Sequence, residues 1–478
     1  MRKMDAKDIL ARQHRARERR RALEAAWAEA YAHVLPAPHE AAGLFDATAA
    51  DAAEQLAASL LAELTPPWSR WFGLAPARDF ADTEEGQAAA YALEGTAAVL
   101  QQQLDRSNFA VEMHQAFLDL VIAGTGVILV EEAPPGEPSA LRFTAIPVRQ
   151  AVLEEGPSGR LDTVFRENRM TLAALRRRFP FAELPARLLA EEAGEQAEPR
   201  THRVVEAVWP DRFGHRYAAV LDAPGLDEPF LLAQGGFAES PFIAFRWLKA
   251  PGELYGRGPV VKALPDIRTA NRVVELVLKN ASIAVTGIWQ AEDDGVLNPA
   301  TVQLTPGAII PKAPGSAGLT PLAAPGSFDV SQLVLADLRA RIRQALLADR
   351  LGAPRDARMT ATEVLERSAE TARLLGATYG RLQSELLTPL VARCLSILAR
   401  RGEIPPVLLD GGRVALRYES PLARVQGRSD AANTLLFLDA ASRMGPAAAA
   451  QVDAAAAARW LARTLGAPAE ILVPTPTE

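Results

Sequence analysis

The sequence has one cysteine and no long uncharged apolar run. Cys394 has no partner for a bridge within the chain, and its neighbours Leu395, Ile397 and Leu398 predict a buried thiol. The N-terminus leads into a charged segment without an apolar signal region, and no uncharged apolar run reaches the roughly 18 residues of a membrane span. These absences predict a soluble intracellular protein with no disulfide and no membrane partner.

The motifs of common enzymes are also missing. There is no Gly-Lys dipeptide, which excludes a P-loop, no Gly-x-Ser-x-Gly elbow, and no metal-ligand spacing among the six histidines. The adjacent pairs Glu131-Glu132 and Glu154-Glu155 fall on predicted strands, where successive side chains point to opposite faces. We therefore predict a structural protein that is not an enzyme and that needs no metal and no cofactor.

Cations do not dominate the chain. Its 52 Lys and Arg residues face 58 Asp and Glu residues, for a net charge of -6, so any contact with DNA is expected to be local. Six arginines crowd an Ala- and Leu-rich N-terminal stretch that predicts a helix: Arg12, Arg15, Arg17, Arg19, Arg20 and Arg21. Two interpretations of this cluster remain open, a solvated helix face and a docking or nucleic-acid contact.

The first half of the chain has the pattern of an α+β region. Leucines at helical spacing before Thr65-Pro66-Pro67 predict a packed helix, followed by an aromatic anchor of Trp68, Trp71 and Phe72. A second helix is predicted from Ser107-Asn108 to the Gly124-Thr125-Gly126 turn. Beyond it, alternating residues predict strands at 127–130, 141–148, 161–165, 204–208, 217–221 and 241–247, with one short helix after Thr171.

The centre of the chain predicts a stalk. Apolar spacing gives one helix over 265–285 and another over 328–349, separated by a Pro- and Gly-rich insert with short strand signals at 287–289, 302–304 and 308–310. Within the insert, Glu292-Asp293-Asp294-Gly295 lacks the alternating ligands of a calcium loop and predicts a turn. The insert is expected to form a small β tip on two helices.

The last third is predicted to be mostly helical. A capping box, Thr360-Ala361-Thr362-Glu363, opens a helix that runs to Arg400-Arg401-Gly402 and is therefore about 60 Å long. Gly376, Gly380 and Pro389 are expected to bend this helix and not to break it. The alanine-rich tail from about residue 426 is predicted to be helical as well, including 447–458.

In order along residues 40–405, several motifs resemble the head-to-tail connector, or portal, family of short-tailed phages. They are Phe45-Asp46-Ala47-Thr48-Ala49, Leu64-Thr65-Pro66-Pro67 with Trp71-Phe72, Asn108-Phe109, Gly124-Thr125-Gly126, Tyr255-Gly256-Arg257-Gly258-Pro259, Leu264-Pro265-Asp266-Ile267-Arg268, Met359-Thr360-Ala361-Thr362-Glu363-Val364 and Leu382-Gln383-Ser384-Glu385-Leu386-Leu387 with Pro389-Leu390. The N-terminal arginine run and the alanine-rich tail match no family pattern.

The resemblance implies an α+β subunit of a ring, usually of twelve copies, with an α/β wing, a two-helix stem, a small β clip, a long spine helix and a helical crown. On this chain the parts would be wing 1–257, stem helices 258–287 and 328–349, clip 288–327, tunnel loop 350–359, spine helix and following strand 360–425, and crown 426–478. The implied function is a channel at one capsid vertex for packaging, retention and ejection of double-stranded DNA.

The resemblance also implies partners and a location. The partners are double-stranded DNA in the lumen, the large subunit of the terminase, capsid and scaffolding proteins, and a tail adaptor protein. The protein would reside in the virion, after assembly in the host cytoplasm. The alternatives are another ring-forming neck or adaptor protein of a virus particle and a cytosolic hydrolase with dispersed catalytic residues; mass in solution separates the hydrolase from a large cyclic assembly.

Candidate contact residues follow from the implied parts. We hypothesise that five arginines approach the DNA backbone: Arg339, Arg343, Arg350, Arg355 and Arg358. Each of them has an alternative role, in an ion pair with Asp337, Asp349 or Asp356 or with a neighbouring subunit. The acidic turn in the clip, Glu292, Asp293 and Asp294, is the hypothesised contact to a partner protein.

Overall fold

The computed structural model describes residues 5–37, 43–77, 84–186, 188–189, 200–224, 226–286, 289–291, 313–315, 319–321, 328–348, 376, 378–409, 413–419, 421–445 and 450–465. These residues form helices together with antiparallel sheets, which confirms the predicted α+β class.

Four helices occupy the first part of the chain: α1 (Ala6–Val34), α2 (Thr48–Leu64), α3 (Glu84–Arg106) and α4 (Phe109–Ala123). α4 has an apolar stripe of Met113, Ala116, Phe117, Leu120 and Val121, all of which are buried, and α2 ends before Pro66 as expected. The aromatic anchor is confirmed for Trp71 and Phe72, but Trp68 is 72% exposed and that part of the prediction is wrong. Periodicity did not reveal α3.

Two antiparallel sheets form the β part. One has the order β3-β2-β9, with β2 Thr125–Glu132, β3 Leu141–Ala145 and β9 Phe242–Arg246. The other has the order β4-β5-β6-β7-β8, with β4 Ala151–Glu155, β5 Leu161–Thr171, β6 Thr201–Asp211, β7 Gly214–Asp222 and β8 Phe230–Phe237. The short helix α5 (Leu172–Arg178) lies between β5 and β6 in the chain, and the predicted Thr171 is its N-cap.

The predicted strand over 141–148 is shorter than expected, because the chain turns at Pro147 into a 3-10 segment, Val148–Gln150. Two strands had no clear signal in the sequence. β8 contains Gly235 and Gly236, and β1 (Phe72–Pro76) ends in a proline. β1 gains its ladder from β12 (Val414–Tyr418), whose Tyr418 lies opposite Phe72.

The central helices are α6 (Pro259–Thr286) and α7 (Phe328–Ala345), and the strands β10 (Trp289–Ala291) and β11 (Leu319–Pro321) pair antiparallel beyond the end of α6. α6 begins before the predicted residue 265, directly after the Gly256-Arg257-Gly258 loop. We call α6, α7, β10 and β11 the stalk. The strand signals at 302–304 and 308–310 lie outside the described residues.

The last part contains α8 (Thr388–Arg400), which continues a π-helical segment, Gln383–Leu387, and then β12. The helix continues through Pro389 without a break. In the adjoining π-helical segment, where the regular α-helical hydrogen bonds are interrupted, the Thr388 hydroxyl donates to the Gln383 carbonyl oxygen at 2.9 Å. The first part of the long helix predicted from the sequence, including the capping box at Thr360, lies outside the described residues. The stretch Thr378–Arg400 is long and apolar enough to cross a membrane, but 61% of it is buried as in a core helix.

The tail forms α9 (Pro421–Arg443) and α10 (Ala454–Leu465). The prediction that 447–458 is one helix is wrong at residues 450–453, which form a turn. Gly445 adopts a left-handed conformation, φ 105°, and Asp453 accepts the Ala456 N–H at 2.9 Å as an N-cap, so two local signals separate the helices.

The main core gathers residues of α2, α3, α4, α8 and the inner ends of α6 and α7. Cys394 lies in this core as predicted, and burial raises the pKa of its thiol to about 12. Of the first adjacent glutamate pair, Glu131 bonds Arg178 and Glu132 bonds Arg400, so the two carboxylates have different partners.

Candidate functional site at the root of the stalk

Two glycine motifs from distant parts of the chain lock together where the stalk begins. Gly124 ends α4 with a φ of 85°, and a Cβ at this position would lie 2.3 Å from the Gly258 nitrogen. A Cβ at Gly256 would lie 2.0 Å from the Gly124 oxygen. Thr125 Oγ1 accepts the Gly256 N–H at 2.9 Å. The two motifs, which the sequence shows only as separate turns, therefore form one tight backbone joint directly before α6.

A second joint ties the stalk to the segment before α2. Asn271 on α6 accepts the Phe45 and Asp46 N–H groups at 2.7 and 3.1 Å and donates to Gly43 O at 3.0 Å. Asp46 is 3% exposed; it accepts the Thr48 N–H at 2.9 Å and the Arg339 Nε at 2.8 Å. Burial would raise the pKa of Asp46, but the bonds from Thr48 and Arg339 lower it below its usual value.

Further ion pairs surround this root. Arg341 on α7 bonds Asp266 on α6 at 2.8 Å, so the end of α7 lies beside the start of α6 and the two helices are antiparallel. Arg268 on α6 pairs with Glu29 on α1, and this pairing, ahead of burial in its effect, lowers the pKa of Glu29. The root of the stalk is thus held by polar contacts to α1, α2 and the second stalk helix.

The outer half of the stalk has a different character. Among the residues whose burial the structure describes, the buried ones of α6 end at Ala270 and those of α7 begin at Leu338. Four large apolar side chains beyond these points are exposed: Leu276, Leu278, Leu333 and Val334. The stalk therefore projects from the core with an apolar surface that the described residues leave uncovered.

The spine helix is fixed to the sheets through a buried ion pair. Arg246, at the end of β9, is 1% exposed, and its Nη2 bonds Glu385 of the π-helical segment at 2.6 Å. The same carboxylate accepts the Arg246 backbone N–H at 3.0 Å, and Arg246 also donates to Leu254 O at 3.0 Å and Gly159 O at 2.9 Å. This arginine joins β9, two loops and the spine in one network.

The N-terminal arginines divide by helical face. Arg12 pairs with Glu154 at 2.6 Å and Arg17 with Glu167 at 3.2 Å, both on the five-stranded sheet. Arg20 is buried and donates to Val148 O at 3.1 Å and Ala151 O at 2.6 Å. Arg15, Arg19 and Arg21 are exposed. The cluster is therefore partly an internal contact of α1, which neither open interpretation included.

The structure describes only two of the eight predicted contact residues, Arg339 and Arg343. Arg339 pairs with Asp46 and not with Asp337, the one of the three aspartates considered from the sequence that the structure describes, and its side chain remains 40% exposed. Arg343 is exposed and has no ion pair among the described residues. Arg350, Arg355, Arg358, Glu292, Asp293 and Asp294 lie outside the described residues, so the structure does not test them.

Sequence reasoning missed the roles of Asp46, Asn271 and Arg246. Asp46 was noted only as part of a motif, and an Asp two residues before a helical Thr is a cap signal that could have marked it. Asn271 and Arg246 carried no signal, since their partners are more than a hundred residues away in the chain. In the part of the chain that the structure describes, no three His, Cys, Asp or Glu side chains gather as metal ligands do.

These features define an α+β subunit with a projecting, rigidly anchored helical stalk, and comparison with known proteins gives its family. The chain matches the family described as bacteriophage head to tail connecting protein over residues 6–472, and it belongs to that family. It is a head-to-tail connector, or portal protein, and the family is one of structural proteins of the phage particle.

Several relatives are portal proteins by name. The chain is 26% identical to the probable portal protein of Bordetella phage BPP-1 over 464 residues, 90% of this chain and 80% of the relative. It is 24% identical to the portal protein of Salmonella phage epsilon15 over 459 residues, again 90% and 80%. A solved neck of an empty gene transfer agent particle covers 92% of this chain and 93% of its own, at 14% identity and a TM-score of 0.37, a likeness too loose for an argument.

Proposed function

We propose that this chain assembles into a closed ring whose central channel passes double-stranded DNA into and out of the phage head. The projecting stalk supports this most directly. Its outer half exposes Leu276, Leu278, Leu333 and Val334, and a neighbouring copy in a ring would cover such a surface by a heterologous contact. The family supports the proposal as well, because a head-to-tail connector must let DNA pass.

The parts follow the family plan in this proposal. Residues 1–257 form the wing, 258–287 and 328–349 the stem, 288–327 the clip, 350–359 the tunnel loop, 360–425 the spine and following strand, and 426–478 the crown. Antiparallel α6 and α7, the strand pair β10 and β11 beyond them, and helical α9 and α10 support this plan. The acidic turn Glu292-Asp293-Asp294 would contact the terminase or the tail adaptor from the clip.

DNA would meet few fixed charges. Arg343 is the described candidate, because it is exposed on α7 without a partner among the described residues. Arg339 is a poorer one, since its Nε is already bonded to Asp46 at 2.8 Å. A sparse set of cations suits a channel, because each neutralised phosphate adds salt-dependent affinity and many such contacts would slow the DNA.

The ring is tested by imaging the purified full-length protein in negative stain and by its mass in solution. We expect end-on views with a central hole at least as wide as a duplex, roughly 20 Å. Particles of one to four chains across the micromolar range, under conditions that also give no rings in imaging, would contradict the proposal.

The DNA contact is tested by charge reversal. We expect phage carrying Arg343→Glu together with Arg355→Glu and Arg358→Glu to package or retain less DNA, measured as packaged genome per particle. The control is Arg142→Glu, an exposed arginine on β3 that lies far from the stalk in the chain. Unchanged packaging and retention in the triple variant, with normal rings, would remove these residues from the channel.

A further inference from the structure

A cleft of about 360 Å³ lies between the three-stranded sheet, the five-stranded sheet and α8. Its lining is largely apolar and aromatic, from Leu129, Phe179, Phe237 and Phe242. Three arginines and three glutamates also line it. Clefts with an apolar lining and few convergent polar groups are the usual form of a small-ligand site.

The three glutamates of the cleft are already neutralised. Glu131 bonds Arg178 at 2.8 Å, and Glu206 bonds the same Arg178 at 3.0 Å and the Tyr217 hydroxyl at 2.8 Å. Glu132 bonds Arg400 at 2.6 Å. Two of the three lining arginines, Arg178 and Arg400, are therefore already paired with carboxylates.

Among the described residues, the third arginine, Arg393, has no carboxylate partner. It is 2% exposed, and its Nε and Nη1 reach only the backbone oxygens of Val130 and Glu239, at 3.3 and 3.4 Å. Its guanidinium lies 4.8 Å from the centre of the Phe237 ring. The ion pairs of the described residues do not include Arg393. A buried arginine is normally paired with an anion, because an isolated buried charge is costly.

The pKa of Arg393 also fits a buried cation that has no carboxylate partner among the described residues. Burial, and then the nearby charge of Arg400, lower the pKa of Arg393 to about 10. The guanidinium is therefore still protonated at neutral pH, and an anion in the cleft would relieve its unfavourable environment.

We propose that this cleft binds a carboxylate attached to an apolar body, with Arg393 as the charge partner and the aromatic lining around the apolar part. A monoanion suits the site better than a phosphate dianion, because Arg393 supplies one positive charge and the other two lining arginines already have carboxylate partners. The carboxylate comes either from a free carboxylic acid or from an acidic side chain of a bound protein. The proposal does not depend on ring formation.

The test uses the full-length protein and thermal unfolding at constant ionic strength. Hexanoate is the anionic probe and hexanamide its neutral counterpart. We expect a saturable rise in Tm with hexanoate and none with hexanamide, and an apparent Kd for hexanoate at least about tenfold weaker in Arg393→Met. No saturable shift in the wild-type protein would overturn the proposal.

A second variant keeps the test valid if Arg393→Met does not fold, since that change also removes buried backbone contacts. Ala233 lines the same cleft and carries no charge, so Ala233→Leu fills space without altering the ion pairs. We expect Ala233→Leu to lose the hexanoate shift, whereas Arg443→Met, at an exposed position on α9 outside the cleft lining, keeps it. An equal shift in wild type and Ala233→Leu would place hexanoate elsewhere and overturn the proposal.

A blocked tripeptide, Leu-Glu-Leu, and its Gln counterpart distinguish the two possible sources of the carboxylate, a free acid and a protein side chain. A Tm shift with the Glu peptide alone, lost in Ala233→Leu, would assign the cleft to a protein side chain. A shift with hexanoate and with neither peptide would assign it to a free acid. Because the readout is ligand-dependent Tm, failure here leaves the ring images unaffected.

Discussion

Asp46 and Arg339 stand 293 positions apart in the chain and bond at 2.8 Å. The aspartate is buried at the start of α2, whereas the arginine lies on α7, the second helix of the stalk. One carboxylate thus caps a helix of the body and holds a helix of the stalk. The orientation of the stalk therefore depends on the segment before α2 as well as on the stalk helices.

Asp46→Asn should destabilise the protein by about 1–3 kcal/mol, because it weakens the bond to Thr48 and removes the charge opposite Arg339. Denaturant unfolding measures the change. Asp51→Asn, an exposed change in the first turn of α2, is the control and should have little effect. A double-mutant cycle with Arg339→Gln should show coupling between the two positions. Equal stability of Asp46→Asn and Asp51→Asn would contradict this role.

The same contact predicts a pH dependence. The pKa of Asp46 is lower in the folded protein than its usual value, so its contribution to stability is present above about pH 4 and lost as pH falls through the folded pKa. Wild type should therefore lose more stability than Asp46→Asn on acidification below pH 4. Parallel curves for the two proteins would argue against the ion pair.

Gly124→Ala should cost roughly 2 kcal/mol or more, because it adds a clash with the Gly258 backbone to the strain of a left-handed residue. Gly136→Ala is a matched control. Gly136 also has a positive φ, 96°, but nothing lies within 4 Å of a Cβ there, so the control measures backbone strain alone. If both variants lose the same stability by thermal or denaturant unfolding, the two glycine motifs are not a tight joint.

Asp119 predicts a second pH effect with the opposite sign. It accepts the Tyr31 hydroxyl at 2.7 Å and the Val148 N–H at 3.0 Å, and burial, only partly offset by these bonds, raises its pKa to about 6. The folded protein therefore binds a proton more tightly than the unfolded chain between about pH 4 and 6. Its contribution to stability is largest at the acid end of this window and falls as pH rises through 6.

Asp119→Asn should flatten this part of the stability curve, since an amide keeps the size of the side chain but does not titrate. Urea unfolding at pH 5 and at pH 7 measures the effect: between pH 7 and pH 5, wild type should gain about 1 kcal/mol of stability that the variant does not gain. The exposed Asp105→Asn serves as control and should follow wild type. A variant curve parallel to wild type would refute the assignment.

Arg246→Met should destabilise by about 3–5 kcal/mol, because it leaves the buried Glu385 with only the longer contact to Arg381, at 3.4 Å, among the described residues. Adding Glu385→Leu should recover part of the loss, since two apolar side chains leave no unpaired charge. Unfolding in guanidinium chloride measures both. Arg257→Met breaks an exposed pair with Glu253 and should change little. If the double variant is less stable than Arg246→Met alone, the cost does not come from the unpaired carboxylate.

Local patterns of the sequence determined most elements that carry a local signal. The stripe of α4, the Gly124 stop, the Thr171 cap and the buried Cys394 follow from spacing, glycine conformation and apolar neighbours, which act over a few residues. The motifs around the same turns were sufficient to suggest the family. The wrong predictions, an anchored Trp68 and an unbroken helix over 450–453, came from composition where a turn or a cap decided the structure.

Only the tertiary structure decided which distant segments meet. β1 is a strand because β12 lies beside it, and the two glycine motifs form one joint because their backbones touch. Asp46 and Asn271 hold the stalk because its helices, α6 and α7, pack on α2 and α4. Pairings of this kind depend on where the whole core places two backbones. A short stretch of sequence specifies its own conformation and its apolar face, but not the partner that the folded chain brings to it.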